Sequence, residues 1–299
     1  MTMKQDELYK NRSISACLKT AYVLWSTNFT TICKRVWKPL LALSLSSVVA
    51  VEAALTVYKS AMMGQWSVGG GIALLLGLVL LLASSMWYLA AVMTLATPLG
   101  LRKCLRRSAA ALGFLTGSFI VLSLLLMAVS VGFFLLASKK MSPITEATWN
   151  TGIQAVIFLV YLVLMLPFAY SLMNYFNQPD TRFVAGFLKP WSRGMRHWGR
   201  LFSVMFFSGL ILFIVEAVVE MPLYLLLKAA MMSADGVAGG DASGLPGSFP
   251  VLLAVTALIV YALIYLVTVW NIFTLHYAYG SMVATDREKK ALKSEQENQ

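Results

Sequence analysis

The sequence predicts an all-α membrane protein, a polytopic helical bundle with about six transmembrane helices and two interfacial amphipathic helices. Charged residues make up only 12% of the 299-residue chain, about half the share that is usual in soluble domains. Hydrophobic residues make up 59%, and the mean hydropathy is +0.74. The apolar residues form runs of roughly 20 or more, which is long enough to cross a bilayer. These observations place the chain in the membrane class.

The apolar runs leave little room for a separate soluble domain. We therefore predict a single helical transmembrane domain over residues 1–284, followed by a charged cytoplasmic tail over residues 285–299. The spans are predicted, to within a few residues, at 39–58, 69–97, 109–137, 152–176, 201–227 and 250–280.

The first predicted element is an amphipathic helix at 13–36. Apolar residues recur at spacings of three and four from Ile14 through Ala21 and Trp25 to Val36, which is one stripe of an α-helix. The basic residues of the segment lie off this stripe. A basic amphipathic helix with aromatic residues is typical of the membrane interface. Packing of the stripe on a cytoplasmic partner is the alternative.

The first span is expected to begin at Pro39, because a proline at the first helical position loses no hydrogen bond. Ala42, Ser46 and Ala50 follow at steps of four. Small residues at this spacing form a face that lets another helix approach closely. The first span is therefore predicted to pack tightly on a neighbour.

The third and fourth spans each carry one local feature. Gly113 and Gly117 form a small-residue motif, for which a contact within the monomer is favoured over dimerisation. Pro167 interrupts the fourth span. It is expected to kink the helix and to leave the carbonyl of residue 163 without its helical donor.

A second interfacial helix is predicted at 182–199, immediately before the fifth span. Its apolar positions include Phe183, Phe187 and Trp191. Aromatic side chains of this kind anchor a segment at the membrane surface. The cationic residues of the segment are candidates for contact with anionic lipid headgroups: Arg193, Arg196, His197 and Arg200.

Three glutamates lie within apolar runs and form a candidate intramembrane polar site. Glu52 is in the first span, and Glu216 and Glu220 are one turn apart in the fifth. Buried ionisable groups in membranes are costly and often functional, so the first and fifth spans are candidates to share a polar cavity. In the alternative interpretation, Glu52 and Glu220 reach the outer headgroups and only Glu216 lies deep.

The distribution of basic residues predicts the orientation of the chain. If the termini and the loops 98–108 and 177–200 lie on one side, that side holds 20 of the 24 lysines and arginines. Basic residues mark the cytoplasmic side. We therefore expect an inner (cytoplasmic) membrane protein with both termini inside. The net charge of +11 then matches anionic lipid headgroups rather than nucleic acid.

Two pairs of segments suggest an internal repeat. Arg35–Leu40 (RVWKPL) resembles Arg196–Leu201 (RHWGRL), and Leu166–Met173 (LPFAYSLM) resembles Leu275–Met282 (LHYAYGSM). The repeated unit would be a surface helix, a span out and a span back. Chance similarity between short apolar segments is the alternative.

This arrangement, with its span ends of proline, aromatic residue and tyrosine, resembles bacterial six-span membrane proteins related to the membrane domain of glycerophosphodiester phosphodiesterases. The resemblance implies a helical membrane domain over most of the chain. It implies no catalytic residues, because the hydrolase of that family is a separate soluble domain.

The sequence favours a protein without a catalytic site. Its two histidines, His197 and His276, lie far apart, and no zinc-protease, nucleophile-elbow or phosphate-loop motif occurs. We expect no enzyme activity, no cofactor and no metal. A scaffold that interacts with the lipid bilayer and with a membrane-protein partner is the first hypothesis. A transporter that uses the intramembrane carboxylates for a cation, a proton or a small solute is the second.

Overall fold

The structure is a computed structural model that describes residues 8–65, 67–137, 143–178, 180–240 and 244–297. The first residues of the chain and the end of the predicted tail 285–299 lie outside the described residues. The described chain is helical and contains no β-strand. In chain order its helices are α1 Ile14–Thr27, α2 Phe29–Met62, α3 Val68–Ala96, α4 Leu101–Ala137, α5 Pro143–Met165, α6 Phe168–Asn177, α7 Trp191–Arg196, α8 Trp198–Ala238 and α9 Phe249–Glu297.

Six helical segments are long and apolar enough to cross a membrane, so the fold class is confirmed as a polytopic helical bundle. Several extend well beyond the predicted spans; α9, for example, has 49 residues, or about 75 Å of helix at about 1.5 Å per residue. The six segments are Phe29–Met62, Val68–Ala96, Leu101–Leu135, Thr148–Asn177, Trp198–Ala238 and Phe249–Glu297.

The amphipathic segment predicted at 13–36 is broken at Asn28, and α2 then runs through Pro39 without interruption. Pro39 lies inside this helix, so the expectation that it occupies the first helical position is wrong. Ile32, Val36 and Leu43 are all buried in one apolar cluster, so the stripe stays in register across the proline. Packing along this stripe offsets the backbone hydrogen bond that the proline removes.

The segment predicted as one interfacial helix at 182–199 is also irregular. A π-helical turn spans Val184–Leu188, and the short helix α7 follows. Pro190 lies between them and has no N–H to donate. At His197 the backbone leaves helical geometry before α8 begins. The segment is amphipathic, but its prolines and glycines divide it into short turns.

The chain divides into two compact units. Unit 1 comprises residues 1–105 and 204–299, and unit 2 comprises residues 106–203. Unit 1 contains α1, α2, α3, α9 and most of α8. Unit 2 contains most of α4, together with α5, α6, the π-helical turn and α7.

Close helix packing was predicted at two sets of small residues, and the structure shows it at only one of them. A Cβ added to Gly77 of α3 would lie 3.1 Å from the Cα of Ala50, so α2 and α3 approach closely at Ala50 as expected. A Cβ added to Gly113 or Gly117 would meet no atom of the described chain within 4 Å. The expected helix contact at these two glycines is therefore wrong.

The helix α1 packs on α9, the last helix of the chain, within unit 1. Cys17 and Ala21 of the α1 stripe are buried in one cluster with residues of α9. The indole N–H of Trp25 donates to the carbonyl of Leu266 at 3.3 Å, and that of Trp270 donates to the carbonyl of Leu18 at 3.4 Å. The partner of the α1 stripe is thus the last helix of the chain itself.

Candidate functional site

The break at Pro167 organises the interfacial segment of unit 2. α5 ends at Met165 and α6 begins at Phe168, as expected from a proline without an N–H. The carbonyl that Pro167 leaves without a helical donor belongs to Val163, and it accepts the indole N–H of Trp198 at 3.2 Å. The next carbonyl, of Leu164, accepts the indole N–H of Trp191 at 3.0 Å. The indole N–H groups of two tryptophans therefore donate to the carbonyls next to the helix break.

A glycine brings the interfacial segment against the break itself. Gly194 of α7 is buried, and a Cβ at this position would lie 2.7 Å from the carbonyl oxygen of Pro167. No L-residue with a side chain fits that separation without a shift of one backbone. Residue 194 must therefore lack a Cβ if the two indoles are to reach their carbonyls.

The remainder of the segment is held by a polar and an aromatic contact. The buried amide of Asn174 donates to the carbonyl of Gly186 at 2.9 Å, which fixes the π-helical turn on α6. The ring of Phe187 lies between those of Phe168 and Phe183, with centroids 5.4 and 5.1 Å away. The interfacial segment is thus attached at the π-helical turn and at α7.

Arg107 is a structural residue that sequence reasoning missed. Its side chain is buried, and its guanidinium donates to the carbonyls of Tyr175 and Gln178, where α6 ends. It also lies over the ring of Tyr175, 4.6 Å from the centroid. The sequence signal was only the basic loop 98–108, which indicated the orientation of the chain. Its neighbour Arg106 is exposed, so the two arginines have different roles.

The four candidate headgroup contacts fall into two pairs. Arg193 and Arg196 are exposed and lie one turn apart on α7. His197 and Arg200 are partly buried, and the imidazole of His197 stacks on the ring of Tyr170 with centroids 6.3 Å apart. Arg193 and Arg196 are therefore the better placed pair for an anionic partner.

Two of the three glutamates, Glu52 and Glu216, lie beside one apolar cluster in unit 1. This cluster joins α2, α8 and α9 and includes Leu55, Val219 and Leu223. Glu52 lies one turn before Leu55, and Glu216 lies one turn before Val219. The carboxylates therefore approach the same cluster from two helices.

The environments of the glutamates differ. Glu52 is partly buried, and its Oε1 is buried without a hydrogen-bond partner among the described residues. Glu216 is partly buried, and Glu220, one turn further along α8, is exposed. The structure thus brings Glu216 and Glu220 together, and it records no contact between Glu52 and either of them.

Unit 1 contains a cavity of about 280 Å³. It lies where α2 and α8 end and α9 begins, and Lys59 is on its wall. Close to it, the hydroxyl of Tyr58 donates to Oδ1 of Asp235 at 2.9 Å. None of the three candidate glutamates lines this cavity.

The described residues contain no group of three or more histidine, cysteine, aspartate or glutamate side chains placed to hold a metal ion. No family model matches the chain, and neither a curated protein nor a solved structure matches it. The resemblance to the membrane domain of glycerophosphodiester phosphodiesterases stays a prediction, since it depends on arrangement alone.

Proposed function

We propose that the protein is a non-catalytic membrane scaffold of the inner membrane, with both termini in the cytoplasm, whose interfacial segment binds anionic lipid headgroups. The observation that carries this proposal is the attachment of that segment. Two indole hydrogen bonds and the contact of Gly194 with Pro167 hold α7 in place. Arg193 and Arg196 remain exposed on its outer face. A fixed segment of this kind can also present its arginines to a membrane-protein partner.

The expected binding free energy of basic residues at a membrane surface is consistent with lipid binding by the interfacial segment. A lysine or arginine near an anionic membrane surface contributes about 1 kcal/mol of binding free energy. A segment that is already ordered before binding loses less conformational entropy when it binds than a flexible one does. Its arginines should therefore contribute more than equally charged residues on the terminal tail. In the predicted topology 20 of the 24 basic residues lie on one side, which supports the cytoplasmic orientation of the termini.

Lipid retention in nanodiscs tests this proposal. The double variant R193Q/R196Q should retain anionic phosphatidylglycerol more than tenfold less well than the native protein, as measured by native mass spectrometry. The matched control is K289Q/K290Q, which removes two exposed lysines from the same predicted side. Equal lipid retention by both double variants would contradict the proposal, because net charge alone would then account for binding.

Orientation is tested by thiol labelling in intact cells. Cys17 and Cys104 are buried, so they do not report sidedness, and Cys33 is replaced by serine. A cysteine introduced at Leu245 should react with an impermeant reagent, whereas one at Lys293 should react only after lysis. The reverse pattern would contradict the cytoplasmic location of the termini.

Transport is the second candidate function, and the buried, unpartnered Oε1 of Glu52 favours it. A carboxylate on this face of α2 either binds a proton or contacts a passing cation. Glu52→Gln keeps the shape of the side chain and removes its charge. If Glu52 carries transport, the variant should lose proton or solute flux in proteoliposomes while its thermal stability is unchanged. Normal flux at normal stability would exclude this role for Glu52.

A further inference from the structure

The cavity in unit 1 has mainly apolar walls and one lysine. It is formed by the end of α2, the end of α8 and the start of α9, with three residues of the preceding loop. Its volume of about 280 Å³ equals that of about nine water molecules. It is slightly smaller than the usual pocket for a small molecule, which begins at about 300 Å³. Its lining residues are Lys59, Met63, Ala230, Ser233, Ala234, Val237, Leu245, Pro246, Gly247, Phe249 and Pro250.

The size and lining of the cavity favour an unbranched apolar ligand. Ala230 and Ala234 are buried and form a smooth floor, and Met63, Val237 and Phe249 add apolar side chains. Such a space holds a stretch of one hydrocarbon chain but not the two chains of a phospholipid. Water in a cavity of this lining would find few polar partners.

Lys59 gives the cavity a preference for negative charge. Its side chain is partly buried, and no carboxylate of the described residues lies within ion-pair distance of its Nζ. The nearby carboxylate of Asp235 accepts the hydroxyl of Tyr58 instead. The N-terminus of α9 also forms part of the wall, and a helix N-terminus carries partial positive charge. A single negative charge on the ligand would match this environment.

We propose that the cavity binds a long-chain fatty acid, with its carboxylate on Lys59 Nζ and the first part of its chain along the alanine floor. The carboxylate is the smallest anionic head that a single-chain lipid carries, and its charge of about −1 matches one lysine. The site is independent of the proposed scaffold function, because Arg193 and Arg196 belong to unit 2.

Photolabelling in nanodiscs of neutral phosphatidylcholine tests this site. The probe is palmitic acid with a diazirine on its chain, and the labelled peptides are identified by mass spectrometry. Labels should concentrate in residues 59–63, 230–237 and 245–250. Lys59→Gln should reduce this labelling about tenfold, since a hydrogen bond to a charged group is lost, and Lys59→Arg should preserve it. Val237→Trp should also reduce labelling, because the exposed Val237 can accept a larger side chain that fills the cavity.

Two controls distinguish binding through the carboxylate from nonspecific labelling by the probe. Lys228→Gln removes an exposed lysine that lies on α8 outside the cavity, and it should leave labelling unchanged. The corresponding diazirine alcohol should label the same peptides only weakly. Equal labelling by acid and alcohol, or labelling that Lys59→Gln does not change, would overturn the proposal. Displacement of the acid only by single-chain phospholipids would also overturn it, in favour of a phosphate head.

Discussion

Unit 1 and unit 2 both join a surface segment to a span through tryptophan indoles, but the spans differ. In unit 1, Trp25 donates to the carbonyl of Leu266 within the unbroken helix α9. In unit 2, Trp191 and Trp198 donate to carbonyls on the N-terminal side of the break at Pro167. The indole bonds of unit 2 replace helical hydrogen bonds, whereas that of unit 1 is added to a helix that is already complete.

The two pairs of similar segments identified in the sequence allow a position in one unit to be compared with its counterpart in the other. Pro167 aligns with His276, and Trp198 aligns with Trp37. α9 continues through His276, while the fourth span breaks at Pro167. Trp37 is 51% exposed, while Trp198 is partly buried and hydrogen-bonded to Val163. Of the two aligned tryptophans, only Trp198 is shown to hydrogen-bond to a span, and that span is the one broken at Pro167.

Some other aligned positions are buried alike in the two units. Tyr170 and Tyr279 are each 2% exposed, and Met173 and Met282 are fully buried. Other aligned positions differ in burial, such as the partly buried Phe168 and the buried Tyr277, so the internal repeat stays a prediction. The two units differ at the pair Pro167 and His276. Substitutions at this pair and at the pair Trp198 and Trp37 therefore test how far the helix break determines stability.

The largest effect is expected from placing a proline in unit 1. His276→Pro removes a backbone donor inside α9, which runs through this position as an unbroken helix. We expect it to destabilise the protein by about 3 kcal/mol or more. The comparison variant is His276→Ala, which removes the same buried side chain and keeps the backbone donor. Thermal unfolding in nanodiscs measures the difference, and equal stability of the two variants would show that α9 tolerates the break.

A smaller loss is expected from Gly194→Ala in unit 2. The added Cβ would lie 2.7 Å from the carbonyl oxygen of Pro167, so the interfacial segment must move away from the break. Such crowding costs about 1–3 kcal/mol. Gly199→Ala is the matched control, because nothing in the described chain lies within 4 Å of its added Cβ. Alanine there should be neutral or slightly stabilising within α8. If the two variants unfold at the same temperature, Gly194 is not required for the contact.

The third prediction is a coupling between Trp198 and Pro167. Trp198→Phe leaves the carbonyl of Val163 without its donor and should cost about 1–3 kcal/mol. In a Pro167→Ala background the same change should cost less, because residue 167 regains the amide that pairs with this carbonyl. Trp37→Phe, at the aligned exposed position, should change stability by less than about 0.5 kcal/mol. Additive effects of the Trp198 and Pro167 changes would contradict the assignment of the indole as a substitute donor.

The sequence was sufficient for the helical membrane class and for the break at Pro167, because long apolar runs and a missing N–H act locally. It also indicated that the carbonyl of Val163 would lack its donor. It did not indicate Trp198 as the replacement, since that contact joins residues 35 positions apart. Arg107 and Arg106 are adjacent arginines in sequence, and only packing distinguishes the buried one from the exposed one. Pro39 was misjudged because the stripe from Ile32 to Leu43 continues across it.

Among the variants that remove a contact, the control variants aside, the smallest effect is expected from Trp25→Phe in unit 1. The carbonyl of Leu266 lies inside α9, where helical geometry gives it a backbone donor four residues later. The loss of the indole bond therefore leaves no unsatisfied carbonyl, and only the net value of one hydrogen bond, about 0.5–1.5 kcal/mol, is lost. The phenylalanine ring keeps the apolar contact with α9. Trp25→Phe should thus lower stability clearly less than Trp198→Phe when both are measured by thermal unfolding in the same nanodiscs. Amide hydrogen exchange adds a local readout: exchange should increase around residues 163–166 in Trp198→Phe and remain unchanged around residue 266 in Trp25→Phe. If Trp25→Phe instead destabilises the protein as much as Trp198→Phe does, the two indoles are equivalent anchors and the break at Pro167 does not explain the difference between the units.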